Sequence, residues 1–338
     1  VDSLRIENVV CGPNFIFPHD SLSLGAVTYS MEASELSIAM IFLSLTTIGF
    51  LGNFSLLHHY MFVYLMRYRL KFTDWVLMHL IVANILTVLT KGAPQTILAF
   101  GLNNFFNDIG CKLASSLHRV SRGVGIGSTS FLSVFQAIII SPTNSRYSEL
   151  KINLHKYICY SVYLNWVIHF LISSINLVHM RAKYGNESTE NLKSFLYCYS
   201  VRHDPTSDIL YATMLSAPDI LFLVLMLWSS GSMVVTLYRH KQRMQHMPRT
   251  NVSSRSSPET RATKTILLLV STFFSFYTIS SICQLLAAVL YDPGWSLLHV
   301  TAMASLLFPT VCPFLLMNHD SRGSSYCLPW KISRYFSK

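Results

Sequence analysis

Charge is what this sequence most lacks. Asp, Glu, Lys and Arg make up 12% of its 338 residues, about half the share in an ordinary soluble domain. With 51% hydrophobic residues beside them, most of the chain cannot face water, and lipid is the solvent that fits. Strand-like alternation is missing as well. The apolar runs are two or three times the ~10 residues of a barrel strand, which excludes a β-barrel and leaves helices. No His-Glu-x-x-His pattern and no glycine-rich phosphate loop occur. The adjacent pair His58 and His59 falls on different faces of a helix and makes a poor zinc site. No catalytic residue, metal or cofactor is therefore expected, and the chain does not read as an enzyme. Residues 1 to 30 carry Asp2, Arg5, Glu7, Pro13, Pro18, His19 and Asp20 and lack the continuous apolar core of a signal peptide. The first span then serves as the insertion signal. Because the sequence opens on Val1, natural translation is expected to start at Met31, with residues 1–30 an upstream extension.

Long apolar runs are abundant. Roughly 20 apolar residues cross a hydrocarbon core of about 30 Å, and seven stretches qualify: Leu36 to Leu65, Trp75 to Phe100, Cys111 to Ile140, Tyr157 to Met180, Ile209 to Leu237, Lys264 to Tyr291 and Leu297 to Met317. The expected fold is an all-α, seven-transmembrane helix bundle over residues 36–317, with an extracellular segment 1–35 and a cytoplasmic tail 318–338. The net charge of +10 is distributed by loop. Lys and Arg number 17 over the connections after spans 1, 3 and 5 and the tail, Lys264 included, against five on the other side (Arg5, Arg181, Lys183, Lys193, Arg202). The positive-inside rule then puts the N-terminus outside and the C-terminus in the cytoplasm. The basic balance reports topology and contact with anionic membrane lipid; nucleic acid is not an expected partner. An odd number of spans is the receptor arrangement, whereas many transporters are paired repeats with both ends inside.

Topology sorts the seven cysteines. Cys111 at the outer end of span 3 and Cys198 in the long loop before span 5 share the oxidising side, and a Cys111–Cys198 disulfide is expected to tether that loop over the helix mouth. Cys159, Cys283 and Cys312 lie within spans as free packing thiols. Cys327, near the membrane in the tail, is a palmitoylation candidate. Asn186-Glu187-Ser188 is a glycosylation sequon on the outer side, whereas the sequon at Asn251 falls in the cytoplasm and stays bare.

Several strings place these spans in a known context: Leu51-Gly52-Asn53, His79 to Asn84, Lys91 to Thr96, Gly110-Cys111-Lys112-Leu113, His118 to Gly123, Ser133 to Ile138, Ser141-Pro142, Tyr238 to Arg243, and Arg255 to Thr263. Over about residues 31 to 330 the chain resembles the vomeronasal type 1 receptors, a family of pheromone receptors with rhodopsin-like architecture. Span 3 ends in Phe135-Gln136-Ala137 where the larger rhodopsin-like class has Asp-Arg-Tyr, and span 7 lacks Asn-Pro-x-x-Tyr; the family shares both absences. Span 7 also has no lysine for a retinal Schiff base. Bitter taste receptors are the nearest alternative within receptors, and the Pro258-Glu259-Thr260 loop favours the vomeronasal group.

Ionisable side chains at membrane depth cost ~2.5 to 3.5 kcal/mol on insertion scales, so each needs a partner or a cavity. By rise along the helices, Arg119 and Arg122 lie roughly 12 to 16 Å below the outer end of span 3, with Lys91 and Asp219 at similar depth. His118 and Arg122 are four apart, and Arg119 and Arg122 three, so span 3 carries a cationic stripe. One reading is structural, an ion pair between Asp219 and an arginine. The other is functional: three cations against one acid leave positive charge facing a small cavity, where it attracts anionic or acceptor-rich ligands such as steroid sulfates or acids.

Pro94, Pro218, Pro309 and Pro313 kink their spans, with Pro309 and Pro313 candidate hinges. On the cytoplasmic side, Arg239, Lys241, Arg243 and Arg261, with Gln136 at the foot of span 3, are expected to meet the acidic face of a G protein. The resemblance implies a chemosensory receptor that binds a small volatile or steroid-like ligand in the outer half of the bundle and activates a heterotrimeric G protein of the Gi class. A solute transporter is the alternative from another class.

Overall fold

The computed structural model describes residues 33–66, 72–101, 107–140, 148–174, 180–182, 192–195, 198–201, 205–245, 258–289 and 295–319; in the strands and at several helix ends only the backbone path is described. Among these residues there are seven long helices: α1 (Ala33–Leu65), α2 (Phe72–Ala99), α3 (Asp108–Ile140), α4 (Ser148–Ser174), α5 (Pro205–Gln245), α6 (Pro258–Val289) and α7 (Trp295–His319). The shortest, α7, has 25 residues, about 37 Å at 1.5 Å per residue, so every helix outreaches the hydrocarbon core. Outward faces are apolar: Trp228 is 77% exposed, Leu171 67% and Leu221 66%. Such surfaces are at home against acyl chains.

In place of the expected Tyr157 to Met180, the fourth helix runs Ser148–Ser174, and Met180 opens a strand. Strands β1 (Met180–Ala182), β2 (Leu192–Phe195) and β3 (Cys198–Val201) form an antiparallel sheet in the order β1-β3-β2. A short apolar run does not by itself choose between helix and strand, and here pairing of Met180 with Ser200 decides it. The sheet lies over the outer end of α3, which β1 contacts.

α3 is the central post. Of its apolar window 67% is buried, against 22% in α1 and 17% in α5. Glycines make this possible on the side toward α4. A Cβ at Gly123 would collide with the His169 ring, and one at Gly127 with the Asn165 amide. Gly123 and Gly127 are four apart and share one helix face, the small-xxx-small spacing that lets membrane helices approach closely.

α1 and α7 are joined by a polar repair. Pro313 has no N–H, so the Pro309 carbonyl one turn earlier loses its helical donor. Asn53 supplies one: its Nδ2 donates to the Pro309 carbonyl at 2.7 Å and to the Gly49 carbonyl at 2.7 Å, while its Oδ1 accepts from Asn84 at 3.2 Å. Gly52 allows the approach, since a Cβ there would stand 3.1 Å from the Pro313 ring. The Leu51-Gly52-Asn53 string thus mends the α7 kink.

α2 departs from α-helical winding at Val88–Gly92, one π turn in which the Ala93 N–H reaches back five residues to the Val88 carbonyl. It sits just before Pro94, which lacks a donor of its own, and it carries Lys91.

Candidate functional site: a cation-lined cavity in the bundle

α2, α3, α6 and α7 enclose a cavity of about 50 Å³. That holds a few waters; a drug-sized ligand needs roughly 300 Å³ or more, so a ligand of steroid size has to part the helices. His118, Ser121, Arg122 and Gly125 of α3 form one wall, Phe273, Phe276, Tyr277 and Ser280 of α6 face them, and Asn84, Thr87, Ser305 and Phe308 close it.

Arg122 dominates the chemistry. Its Nη1 donates to Ser280 Oγ at 3.3 Å and its Nη2 to Ser281 Oγ at 2.8 Å, while its Cζ lies 4.3 Å from the centre of the Tyr277 ring. These partners are neutral. The Tyr277 hydroxyl in turn donates to Asp219 Oδ2 at 2.8 Å. Instead of pairing directly with an arginine, Asp219 meets Arg122 through a tyrosine that offers its π face to the cation and its O–H to the anion. The second oxygen of Asp219 is enclosed and has no hydrogen-bond partner among the described residues.

The other charges converge on the same place. His118 stands within electrostatic reach of Lys91, Arg122 and Arg119, and its Nδ1 is enclosed without a hydrogen-bond partner among the described residues. His169 on α4 senses Asp219 and Arg119. Of the five intramembrane residues singled out from the sequence, His118 and Arg122 line the cavity, while Lys91, Arg119 and Asp219 lie around it. Sequence reading missed Tyr277, Ser280 and Ser281. Their spacing puts them on one helix face, but no signal in span 6 says that this face meets Arg122.

Elsewhere, Cys111 is buried and disulfide-bonded, and Cys159, Cys283 and Cys312 are free thiols. The side chain of Cys198 lies outside the described residues, as do Asn186, Cys327 and Met31. At the other end of the bundle Gln136 is buried, 7% exposed, and Arg239 is exposed. Lys241, Arg243 and Arg261 sit on α5 and α6 with side chains outside the described ones. A partner meets Gln136 there only when the helices around it separate.

The sequence model of the vomeronasal organ pheromone receptor family matches residues 36–327. Curated relatives agree. Human vomeronasal type-1 receptor 4 is 44% identical over 301 residues, 89% of this chain and 100% of its own length. Human vomeronasal type-1 receptor 3 is 42% identical, over 88% of this chain and 96% of its own. Rat vomeronasal type-1 receptor 90 is 33% identical, over 85% and 92% respectively.

Proposed function

This chain belongs to the vomeronasal organ pheromone receptor family, and from that premise we propose that it detects a small anionic or acceptor-rich chemosignal through Arg122 and passes the signal to a heterotrimeric G protein. The protein is a pheromone receptor, a multi-pass membrane protein of seven helices, and not an enzyme. Its N-terminus lies outside and its tail in the cytoplasm, by the distribution of Lys and Arg. In this reading Cys198, on the strand β3 that pairs with β1, is the partner of the disulfide-bonded Cys111, and Asn186 is the glycosylation site.

The observation that carries the ligand assignment is Arg122: a guanidinium in the cavity wall whose hydrogen bonds go to two serine hydroxyls. A sulfate or carboxylate oxygen replaces or adds to those bonds with one in which both partners are charged, and a ketone oxygen offers the same guanidinium a further neutral acceptor. Arg119 and Lys91 add to the same positive field. Volatile or steroid-like molecules suit the apolar wall of Phe273, Phe276 and Phe308. Because the cavity of about 50 Å³ has to widen around such a ligand, binding selects a helix arrangement that differs from the present one, and a state selected by ligand is how a receptor signals. The widened bundle uncovers Gln136 beside Arg239, Lys241, Arg243 and Arg261, a basic surface for a G protein of the Gi class.

The test is ligand-dependent GTP exchange on Gi in membranes from cells expressing residues 31–338, using a panel of volatiles and steroid sulfates, with Arg122→Ala and Lys91→Ala in parallel. Arg122→Ala is expected to weaken response to an anionic agonist by about tenfold to a hundredfold, the worth of one charged hydrogen bond, and to spare an agonist that carries no oxygen acceptor. Normal responses of both variants to an anionic agonist sink the assignment.

A further inference from the structure

The cavity that a steroid-sized ligand has to widen admits a small ion as it stands. Its volume of about 50 Å³ is room for one monatomic anion with a water beside it, and not for a polyatomic organic ion. The charge of the walls decides between an ion and water alone. Arg122 cannot shed its proton, and its Nη1 and Nη2 donate to the neutral hydroxyls of Ser280 and Ser281. The acid on this side is Asp219, which is reached through the Tyr277 hydroxyl and whose field meets that of Arg119 at His169. Two arginines thus share one acid among the described residues, and Lys91 lies within electrostatic reach of Arg122 as well. A surplus cation in a water-poor bundle is costly unless an opposite charge accompanies it. Water hydrates such a charge and leaves it uncompensated.

His118 supplies a second observation. It is four residues from Arg122, on the same face of α3, and lines the same cavity. Its Nδ1 is enclosed with no hydrogen-bond partner among the described residues. A bound cation does not fit as the missing partner, because the fields of Lys91, Arg122 and Arg119 all reach this ring. An imidazole with its proton on Nδ1 donates to an anion instead. The hydroxyls beside it are already committed: Thr87 Oγ1 donates to Ser121 Oγ at 2.9 Å, and Ser121 Oγ to the His118 carbonyl at 2.8 Å. What this wall has left to hold an anion is the guanidinium and the imidazole.

We propose that the unwidened cavity is a binding site for a small inorganic anion of halide size, held between the Arg122 guanidinium and His118 Nδ1–H. The ion is the counter-charge of the closed arrangement, and a chemosignal that reaches Arg122 has to displace it. The assignment uses the same cation as the chemosignal reading but does not rest on that reading, because the ion binds the receptor without agonist.

The test is thermal unfolding of purified, agonist-free receptor in an uncharged detergent, with gluconate replaced stepwise by chloride at constant ionic strength. Gluconate is too large for the cavity. The unfolding temperature is expected to rise along a saturating curve, by about 2 °C at roughly ten times the half-saturating concentration, and bromide should reproduce the curve. In Arg122→Leu the rise should vanish. In His118→Phe, which keeps a ring but no donor, half-saturation should move up about fivefold, the worth of one net hydrogen bond. The inference is overturned by equal unfolding temperatures of the native chain in the two anions, by a rise that does not saturate, as a general salt effect would not, or by an unchanged half-saturation in His118→Phe. The native curve and His118→Phe decide the matter even where Arg122→Leu does not fold. Because no agonist is present, failure here leaves the chemosignal reading to its own test.

Discussion

The two sides of α3 use the same residue for opposite ends. Toward α4, Gly123 and Gly127 remove side-chain bulk so that His169 and Asn165 lie against the backbone. Gly125, two residues from each and therefore about 200° around the helix, faces the cavity, and a Cβ added there would meet nothing within 4 Å. One face is closed by glycine and the other is kept open by it. Arg122, three residues before Gly125, shares the open face with it, while α3 is held from behind by α4.

The largest expected effect comes from the closed face. Gly123→Ala or Gly127→Ala gains about 1 kcal/mol in helix propensity but forces the α4 side chains aside at an overpacking cost of 1–3 kcal/mol or more. The net is lost surface delivery and a lower unfolding temperature in detergent. Either variant matching the native chain would show that α3 and α4 are not in close contact there.

Next in size is Tyr277→Phe. The ring stays over Arg122, but Asp219 loses the O–H that reaches its Oδ2 at 2.8 Å. A buried acceptor left bare costs roughly 1–3 kcal/mol, a loss of stability measurable by thermal unfolding. Asp219→Asn in the Tyr277→Phe background removes the uncompensated charge and should recover part of the loss; no recovery would mean that Asp219 is stabilised by something other than this tyrosine.

What was legible in advance follows this division. Seven spans could be counted because each helix must be long enough to cross a bilayer, and Arg119, Arg122, Lys91 and Asp219 could be placed at one depth because rise per residue is fixed. Facing was not legible. Tyr277 is 155 residues from Arg122, and nothing local in span 6 says that its phenol stands between that arginine and Asp219. The carbonyl released by Pro313 could be predicted four residues back, yet its donor, Asn53, is 256 residues away. The end of α4 was misplaced because Met180 pairs with Ser200 across the sheet, a choice made by tertiary pairing. The π turn leaves no side-chain signature apart from the nearby Pro94.

A smaller effect separates the two serines on the open face. Ser281→Ala removes the 2.8 Å bond to Nη2, whereas Ser280 holds Nη1 at 3.3 Å and also lies 3.0 Å from Ser305. Losing Ser281 should cost about 1 kcal/mol in stability and leave a guanidinium N–H for an anionic agonist, so potency for such an agonist should rise while thermal stability falls. A fall in both would make Ser281 a ligand contact rather than a competitor for the cation.

The smallest expected change has the opposite sign from the first and is the sharpest check on the comparison. Gly125→Ala puts a methyl into open space, so the overpacking that condemns the same change at Gly123 is absent and the propensity gain of up to about 1 kcal/mol remains. The variant should reach the surface and melt slightly higher than the native chain. Its methyl also enters a cavity of only about 50 Å³, so response to a bulky agonist should weaken while a smaller volatile is spared. Stability and response moving in opposite directions at Gly125, and falling together at Gly123, is the pattern that a helix closed on one side and open on the other requires; a fall in both at Gly125 would place that residue at a packed interface as well.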